Sequence, residues 1–239
     1  MIQDTDSDQD SDGKPGLDAR RVRPSLRAGQ GSHNSSQHIG ALVGALSVLD
    51  TRLLDDWGQR LAVLTGRGGR LLVAGNGGSA AQAEQLAAQL TGTAQLTGTA
   101  QFTGRAAAGR RDRPAIALHA TVAAEAAIAS DGAGHEEVFA RQVRSLGRPG
   151  DVLLTMSTAG RNHRLLRAVA AARAGGIVAW CLTGPAPNPL ADACDEAVCV
   201  YPAGARALSL TATVQEAHQV ALHLIGLSFA TAARLTPGG

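Results

Sequence analysis

The chain has 239 residues, 44% of them hydrophobic and only 3% aromatic, which is enough for one sizeable α/β core built mainly from Ala, Leu and Val. The formal net charge is +2 and the basic residues are scattered, which argues against a nucleic acid or an anionic membrane as partner. No apolar run approaches the roughly 18 residues of a membrane-spanning helix, and the acidic N-terminus does not resemble a signal peptide. Three cysteines in apolar surroundings, Cys181, Cys194 and Cys199, favour reduced thiols in a cytoplasmic protein.

The chain is predicted to begin with a tail and to continue as a single domain over residues 38–235. Residues 1–37 contain almost no large apolar side chains and are rich in Asp, Ser, Gly and Arg, so a disordered acidic and polar tail is expected. From about His38 to Leu64, apolar residues recur at helical spacing until Gly66. This pattern predicts one long helix, or two.

The stretch 70–92 predicts a strand, a glycine-rich turn and a helix in direct succession. The apolar run 71–74 is typical of a strand buried on both faces, and good helix formers begin at Ala80. In such a turn, backbone N–H groups at a helix N-terminus can approach an anion, and Ser79 can add a hydroxyl donor. The spacing matches neither a dinucleotide-binding loop nor a P-loop, so a general phosphate cradle is predicted, with a simple tight turn as the alternative.

A second strand is predicted at 114–118, after a loop insertion at 90–113. The insertion contains Leu90-Thr-Gly-Thr-Ala-Gln95 repeated as Leu96-Thr-Gly-Thr-Ala-Gln101, and its recurring Gly should interrupt a helix. Helices are predicted at about 122–129 and 136–146.

A second strand, turn and helix follow the pattern of the first. The strand is predicted at 152–156, the turn at Ser157-Thr158-Ala159-Gly160 and the helix at about 162–174. The carboxyl ends of parallel strands are where open α/β sheets bind ligands, although Ser157 and Thr158 could also simply cap the helix. Two such turns in one sheet favour a shared anionic ligand.

The C-terminal third predicts two more strands, at 176–182 and 196–200, and a helix at about 210–233. Gln215, Gln219 and His223 follow one another at intervals of four on that helix, so one of its faces could line a site. The predicted elements indicate a three-layer α/β/α fold with a five-stranded parallel sheet.

Several motifs in this order resemble the sugar isomerase (SIS) domain of the phosphoheptose isomerase family: GNGGSAA, PAIAL, FARQV, GRPGDVLL, the Ser157-Thr158 turn, LTG at Leu182, and VQEAH followed by His223. The resemblance implies a homotetramer with active sites at subunit interfaces. It also implies isomerisation of the ketose sedoheptulose 7-phosphate to an aldose phosphate.

The resemblance assigns roles to individual residues. His223 falls at the family's catalytic histidine and metal ligand, and Gln215 is a second candidate for a metal ligand. Gln89 stands where the family has its catalytic Glu, and Gln85 where it has a zinc-ligand His, and both replace metal ligands of the family. Glutamine is neither a general base near neutral pH nor a good zinc ligand, so zinc is possible only with an altered ligand set. The substrate-binding positions are Asn76, Gly77, Gly78, Ser79, Asp131, Ser157, Thr158 and Gln215.

Two functional hypotheses follow from these residues. In the first, the chain is a phosphoheptose isomerase-like enzyme in which Glu216 or Glu125 replaces the missing carboxylate. In the second, it is a phosphosugar-binding, adaptor or regulatory protein of the same fold that no longer catalyses. A DNA-binding regulator with a sugar-sensing domain is excluded, because no helix-turn-helix pattern precedes the domain.

Overall fold

The computed structural model describes residues 35–91, 114–118, 134–202 and 207–235. The predicted tail, the repeat-containing segment after Thr91, the predicted helix at 122–129, Glu125 and Asp131 lie outside these ranges. The helices are α1 (Ser35–Ser47), α2 (Thr51–Gly66), α3 (Gly78–Thr91), α4 (Val138–Leu146), α5 (His163–Ala174), α6 (Pro189–Ala193) and α7 (Ala207–Leu235). The strands are β1 (Leu71–Gly75), β2 (Ala115–Leu118), β3 (Val152–Ser157), β4 (Val178–Thr183) and β5 (Glu196–Cys199).

The five strands form one parallel sheet in the order β2-β1-β3-β4-β5. The chain leaves β1 toward β2 on one side and returns to build β3, β4 and β5 on the other. The strand order therefore reverses between β1 and β3, whose carboxyl ends are Gly75 and Ser157. Ligands of open α/β sheets bind at this kind of crevice, so the topology itself selects the place to examine.

Two hydrophobic cores cover the two faces of the sheet. Leu71 and Val73 of β1 pack with α2, α3 and α7, whereas Leu72 and Ala74 pack with α4 and α5. All five residues of β1 are buried, as expected for a central parallel strand covered on both sides. The predicted three-layer α/β/α architecture is confirmed.

The helices depart from the sequence prediction at two places. The stretch from His38, predicted as one helix or two, forms two, and Asp50 caps α2 by accepting a hydrogen bond from the Leu53 amide at 3.0 Å. The first of them begins at Ser35, within the segment predicted as a tail. Helix α6 was not predicted, because its five residues are too few to show a helical period.

A cluster of two tryptophans, an arginine and a glutamate packs α2 against β4 and β5. The Trp57 and Trp180 rings stack with centroids 4.8 Å apart, and the Arg60 guanidinium lies 4.7 Å from the Trp180 ring. Glu196 accepts hydrogen bonds from Trp57 Nε1 at 2.9 Å and from Arg60 Nη1 at 2.7 Å. The Arg60 hydrogen bond lowers the pKa of Glu196, so this carboxylate stays ionised between its two donors.

The three cysteines are free thiols, as expected, and Cys181 is buried. None of the helices in the described ranges combines the length and the apolar character that crossing a membrane would require.

Candidate active site

A cavity of about 370 Å³ opens at the carboxyl ends of β1 and β3, and we call it the apical cavity. Its walls come from the β1–α3 turn, the β3–α5 turn and α7. The apical cavity is lined by Asn76, Ser79, Met156, Ser157, Thr158, Ala159, Arg161, Asn162, Leu165 and Gln215. The two strand-turn-helix motifs that the sequence singled out therefore do face one site.

The β1–α3 turn contributes a buried amide group. The side-chain Nδ2 of Asn76 is buried and has no hydrogen-bond partner among the described residues, and Ser79 is only 3% exposed. The backbone amides of Ser79 and Ala80 donate to the carbonyls of Asn76 and Gly77, at 3.1 and 3.0 Å. An acceptor in the cavity would satisfy the Asn76 donor, whose burial without a partner is otherwise costly.

The β3–α5 turn supplies hydroxyl groups and a cation. Ser157 Oγ accepts a hydrogen bond from the Gly160 amide at 3.0 Å, which leaves its own proton available to a ligand. Asn162 caps α5 by accepting from the amides of Arg164 and Leu165, so these two helix N-terminal donors are already occupied. The polar groups that this turn leaves for an anion are the hydroxyls of Ser157 and Thr158 and the side chain of Arg161.

Arg161 is a site residue that the sequence reasoning missed. It is exposed, lines the apical cavity and directly follows the Ser157-Thr158-Ala159-Gly160 turn. A guanidinium group is well suited to a phosphate because it can donate two parallel hydrogen bonds. A basic residue immediately after a predicted phosphate-binding turn was the signal that could have identified it.

Helix α7 reaches the site through Gln215, which packs directly on Gly78. A Cβ atom at Gly78 would lie 2.5 Å from Gln215 Nε2, so no side chain fits there while Gln215 keeps its position. One turn further along α3, Gln82 Nε2 donates to the Gln215 carbonyl at 2.7 Å and to Gln219 Oε1 at 3.3 Å. Helix α3 and the start of α7 therefore lie side by side and run in the same direction.

We call the line of contact between α3 and α7 the seam. Each helix rises by about 1.5 Å per residue, so the contacts of Gln82 with Gln215 and Gln219 predict that Gln85 and Gln89, the α3 positions marked by the resemblance, lie near the part of α7 that follows Gln219. Gln89 is 5% exposed, Gln85 is half-buried and His223 is exposed. None of the three lines the apical cavity, and the seam carries neutral amides where the resemblance implies a carboxylate and an imidazole.

Of the two carboxylates proposed as substitutes, Glu216 is the one that the structure describes, and it does not reach this seam. Glu216 pairs with His38 of α1, with Oε2 and Nε2 2.7 Å apart, and thus faces a different helix from its neighbour Gln215. Glu84, the carboxylate of α3 next to Gln85, is exposed. Glu125 and Asp131, a predicted substrate contact, lie outside the described ranges.

The residues at the implied zinc positions do not fit that metal. They are Gln85, Gln89, Gln215 and His223, which offer three amides and one imidazole, whereas zinc prefers thiolate, imidazole and carboxylate ligands. Among the described residues, no group of three or more His, Cys, Asp or Glu side chains is close enough to hold a metal ion.

Helix α7 also carries a fully buried imidazole, His218, one turn after Gln215. Its side chain is 0% exposed, and among the described residues neither ring nitrogen has a hydrogen-bond partner of good geometry. Burial lowers the pKa of His218 to about 4, and the nearby Thr183 backbone offsets only part of that effect. The imidazole is therefore neutral near pH 7.

Comparison with known proteins gives a consistent picture. The SIS domain family matches residues 37–184. A phosphoheptose isomerase of Streptomyces coelicolor is 51% identical over 176 residues, which make up 72% of this chain and 67% of that protein. One from a Roseiflexus species is 38% identical over 170 residues, covering 70% of this chain and 75% of that protein. The solved structure of a phosphoheptose isomerase from Neisseria gonorrhoeae superimposes with a TM-score of 0.64 at 30% identity, covering 82% and 94% of the two chains.

Proposed function

Because the chain belongs to the SIS domain family and, within it, to the phosphoheptose isomerases, we propose that the apical cavity binds sedoheptulose 7-phosphate or a similar sugar phosphate. We further propose that the chain interconverts the ketose and aldose forms of that sugar. The observation that supports the ligand most directly is the buried Nδ2 group of Asn76 in the β1–α3 turn, which has no hydrogen-bond partner in the part of the chain that the structure describes. It is joined there by the hydroxyls of Ser157 and Thr158 and by Arg161, which together suit a phosphorylated polyol.

Isomerisation requires a proton to move between C1 and C2, so a base and an acid must lie beside these carbons. His223 is the titratable side chain of the seam and is our candidate for one of the two roles. The second role has no carboxylate at Gln89, and Glu216 is held by His38. A base outside the described residues, such as Glu125, or one from a second copy of the chain would have to complete the pair.

A second function, phosphosugar binding without turnover, is favoured by one specific observation. The α3 positions that carry the family's Glu and His are the amides Gln89 and Gln85, and a glutamine cannot accept a proton near neutral pH. Neither amide lines the apical cavity, so phosphate binding can persist where catalysis has been lost.

We also propose that the protein is a cytoplasmic homotetramer that completes its sites at subunit interfaces. The exposure of His223 supports a completing partner, and Ile39 and Val43 of α1 are 59% and 60% exposed. The free thiols support a reducing compartment. Neither a nucleic acid nor a membrane is needed for this function.

The test is deuterium incorporation from heavy water at C1 of sedoheptulose 7-phosphate, followed by NMR with the purified protein. Incorporation that disappears in His223→Ala would support a working isomerase. Calorimetric titration of the same sugar phosphate measures binding separately, and Ser157→Ala should weaken it.

The Gln89→Glu variant distinguishes the two functions. If the wild type binds but does not exchange, and Gln89→Glu gains exchange, the chain is a binding protein that lost its base at this position. Gln142→Glu on α4 makes the same chemical change away from the cavity and should leave exchange unaltered. Absence of any sugar phosphate binding would overturn both functions.

A further inference from the structure

A second, larger cavity lies at the opposite edge of the sheet, where β1 and β3 begin. Its volume is about 680 Å³, within the usual range for small-molecule sites, and we call it the basal cleft. One wall is a face of α2, and the other is the turn before β3. The basal cleft is lined by Asp56, Gln59, Arg60, Val63, Leu64, Arg67, Gly68, Gly69, Arg148, Pro149, Gly150 and Asp151.

The acidic groups of the basal cleft are already neutralised within the protein. Asp151 is 2% exposed, forms an ion pair with Arg70 at 3.0 Å and accepts hydrogen bonds from the amides of Arg70 and Arg148. Asp56 lies 2.8 Å from Arg60, which also pairs with Glu196. Neither carboxylate is therefore available to balance a further cation.

Two guanidinium groups remain. Arg67 at the end of α2 and Arg148 in the opposite turn are exposed, and within the described residues the side chain of neither makes an ion pair or a hydrogen bond. The amides of Gly68, Gly69 and Gly150 donate to backbone carbonyls. Recognition of an anion in this cleft would therefore depend on the two arginines.

The rest of the cleft is suited to an organic group. Val63 is 44% exposed and lines the cleft together with Leu64 and Pro149, and Gln59 adds an amide that can both donate and accept. We propose that the basal cleft binds an organic diphosphate of the nucleoside diphosphate class, with Arg67 and Arg148 holding the phosphates. The apolar wall contacts the organic part.

The basal cleft is distinct from the apical cavity, because the two share no lining residue and lie at opposite ends of the same strands. A sugar phosphate and a diphosphate can therefore occupy the protein together. The proposal does not rest on the isomerase activity.

The experiment is calorimetric titration of the full chain with ADP, in EDTA at low ionic strength, with and without saturating sedoheptulose 7-phosphate. We expect ADP to bind in both conditions and more tightly than inorganic pyrophosphate. The double variant Arg67→Ala/Arg148→Ala should weaken ADP binding by about tenfold or more, since each guanidinium contributes charge-assisted hydrogen bonds. Arg161→Ala, in the apical cavity, should leave ADP binding unchanged.

The matched control is Arg52→Ala/Arg234→Ala, which removes the same charge from exposed positions that line neither cavity. Lack of ADP binding, or equal weakening by the control, would overturn the proposal. So would displacement of ADP by the sugar phosphate, which would place ADP in the apical cavity. If Arg67 serves only to offset the dipole of α2, the double variant will bind ADP as the wild type does, and that result also rejects the cleft as a site.

Discussion

Burial of His218 links the folded state to pH. The imidazole is enclosed beneath the sheet edge that carries Thr183, and burial holds its pKa near 4, well below the value of about 6.5 expected in an unfolded chain. Between these two pH values the unfolded chain binds a proton that the folded chain does not. The contribution of His218 to stability is therefore fully present above pH 6.5 and declines as the pH falls toward 4.

We expect this one group to remove about 3 kcal/mol of unfolding free energy between pH 7 and pH 4. The measurement is urea unfolding at several pH values for the wild type and for His218→Gln, whose amide does not titrate. The free energy of unfolding of the wild type should exceed that of His218→Gln by less and less as the pH falls. A difference independent of pH would contradict the argument, and His163→Gln, at an exposed position, should behave like the wild type.

At the level of elements, the packing of α2 against α7 depends on a glycine. A Cβ atom at Gly58 would lie 2.5 Å from Ser228 Cβ and 2.6 Å from the Ile225 carbonyl oxygen. The two helix backbones therefore come this close only because residue 58 has no side chain. The same helices carry the core residues Trp57, Leu61 and Phe229. A shift here would therefore disturb one whole face of the sheet.

Gly58→Ala should destabilise the protein by about 1–3 kcal/mol, because the added methyl group has no space. Gly44→Ala in α1 is the matched control, since a Cβ there meets nothing within 4 Å. It should be neutral or stabilising by up to about 1 kcal/mol through its higher helix propensity. Thermal and urea unfolding of both variants measure the contrast, and equal effects would show that the contact at Gly58 is not tight.

At the level of the whole molecule, α1 presents an apolar surface that the single chain does not cover. Ile39 and Val43 of α1 are 59% and 60% exposed, and Val48, directly after the helix, is 64% exposed, whereas Ala41 and Ala45 of α1 are buried. Water-exposed apolar residues in such density are typical of an interface. They support the proposal that four copies assemble through this helix.

Val43→Glu should therefore shift the protein from a tetramer to smaller species, because it places a charge in an apolar contact. Light scattering coupled to size-exclusion chromatography gives the mass directly. Val63→Glu makes the same substitution at another exposed valine, in α2, and should leave the mass unchanged. A monomeric wild type would contradict the proposed assembly.

Sequence patterns predicted the sheet well, because each buried strand is an apolar run set between glycines or polar turns. They also brought Asn76 and Ser157 together, since parallel strands end at a common edge. They did not predict the seam between Gln82 and Gln215, or the pairing of Glu216 with His38, because such contacts depend on how distant helices pack. Arg161 was missed since a lone exposed arginine has no periodic signal.

The apical cavity is assembled from Asn76, Ser157 and Gln215, three segments that are far apart in the chain and meet only after folding. An unfolded chain cannot reproduce this arrangement, so a ligand held there binds the native state alone. Ligand binding therefore raises the free energy of unfolding, by about 2.7 kcal/mol when the free ligand concentration is one hundred times the dissociation constant. The supply of sugar phosphate in the cell would thus set how much of this protein survives proteolysis.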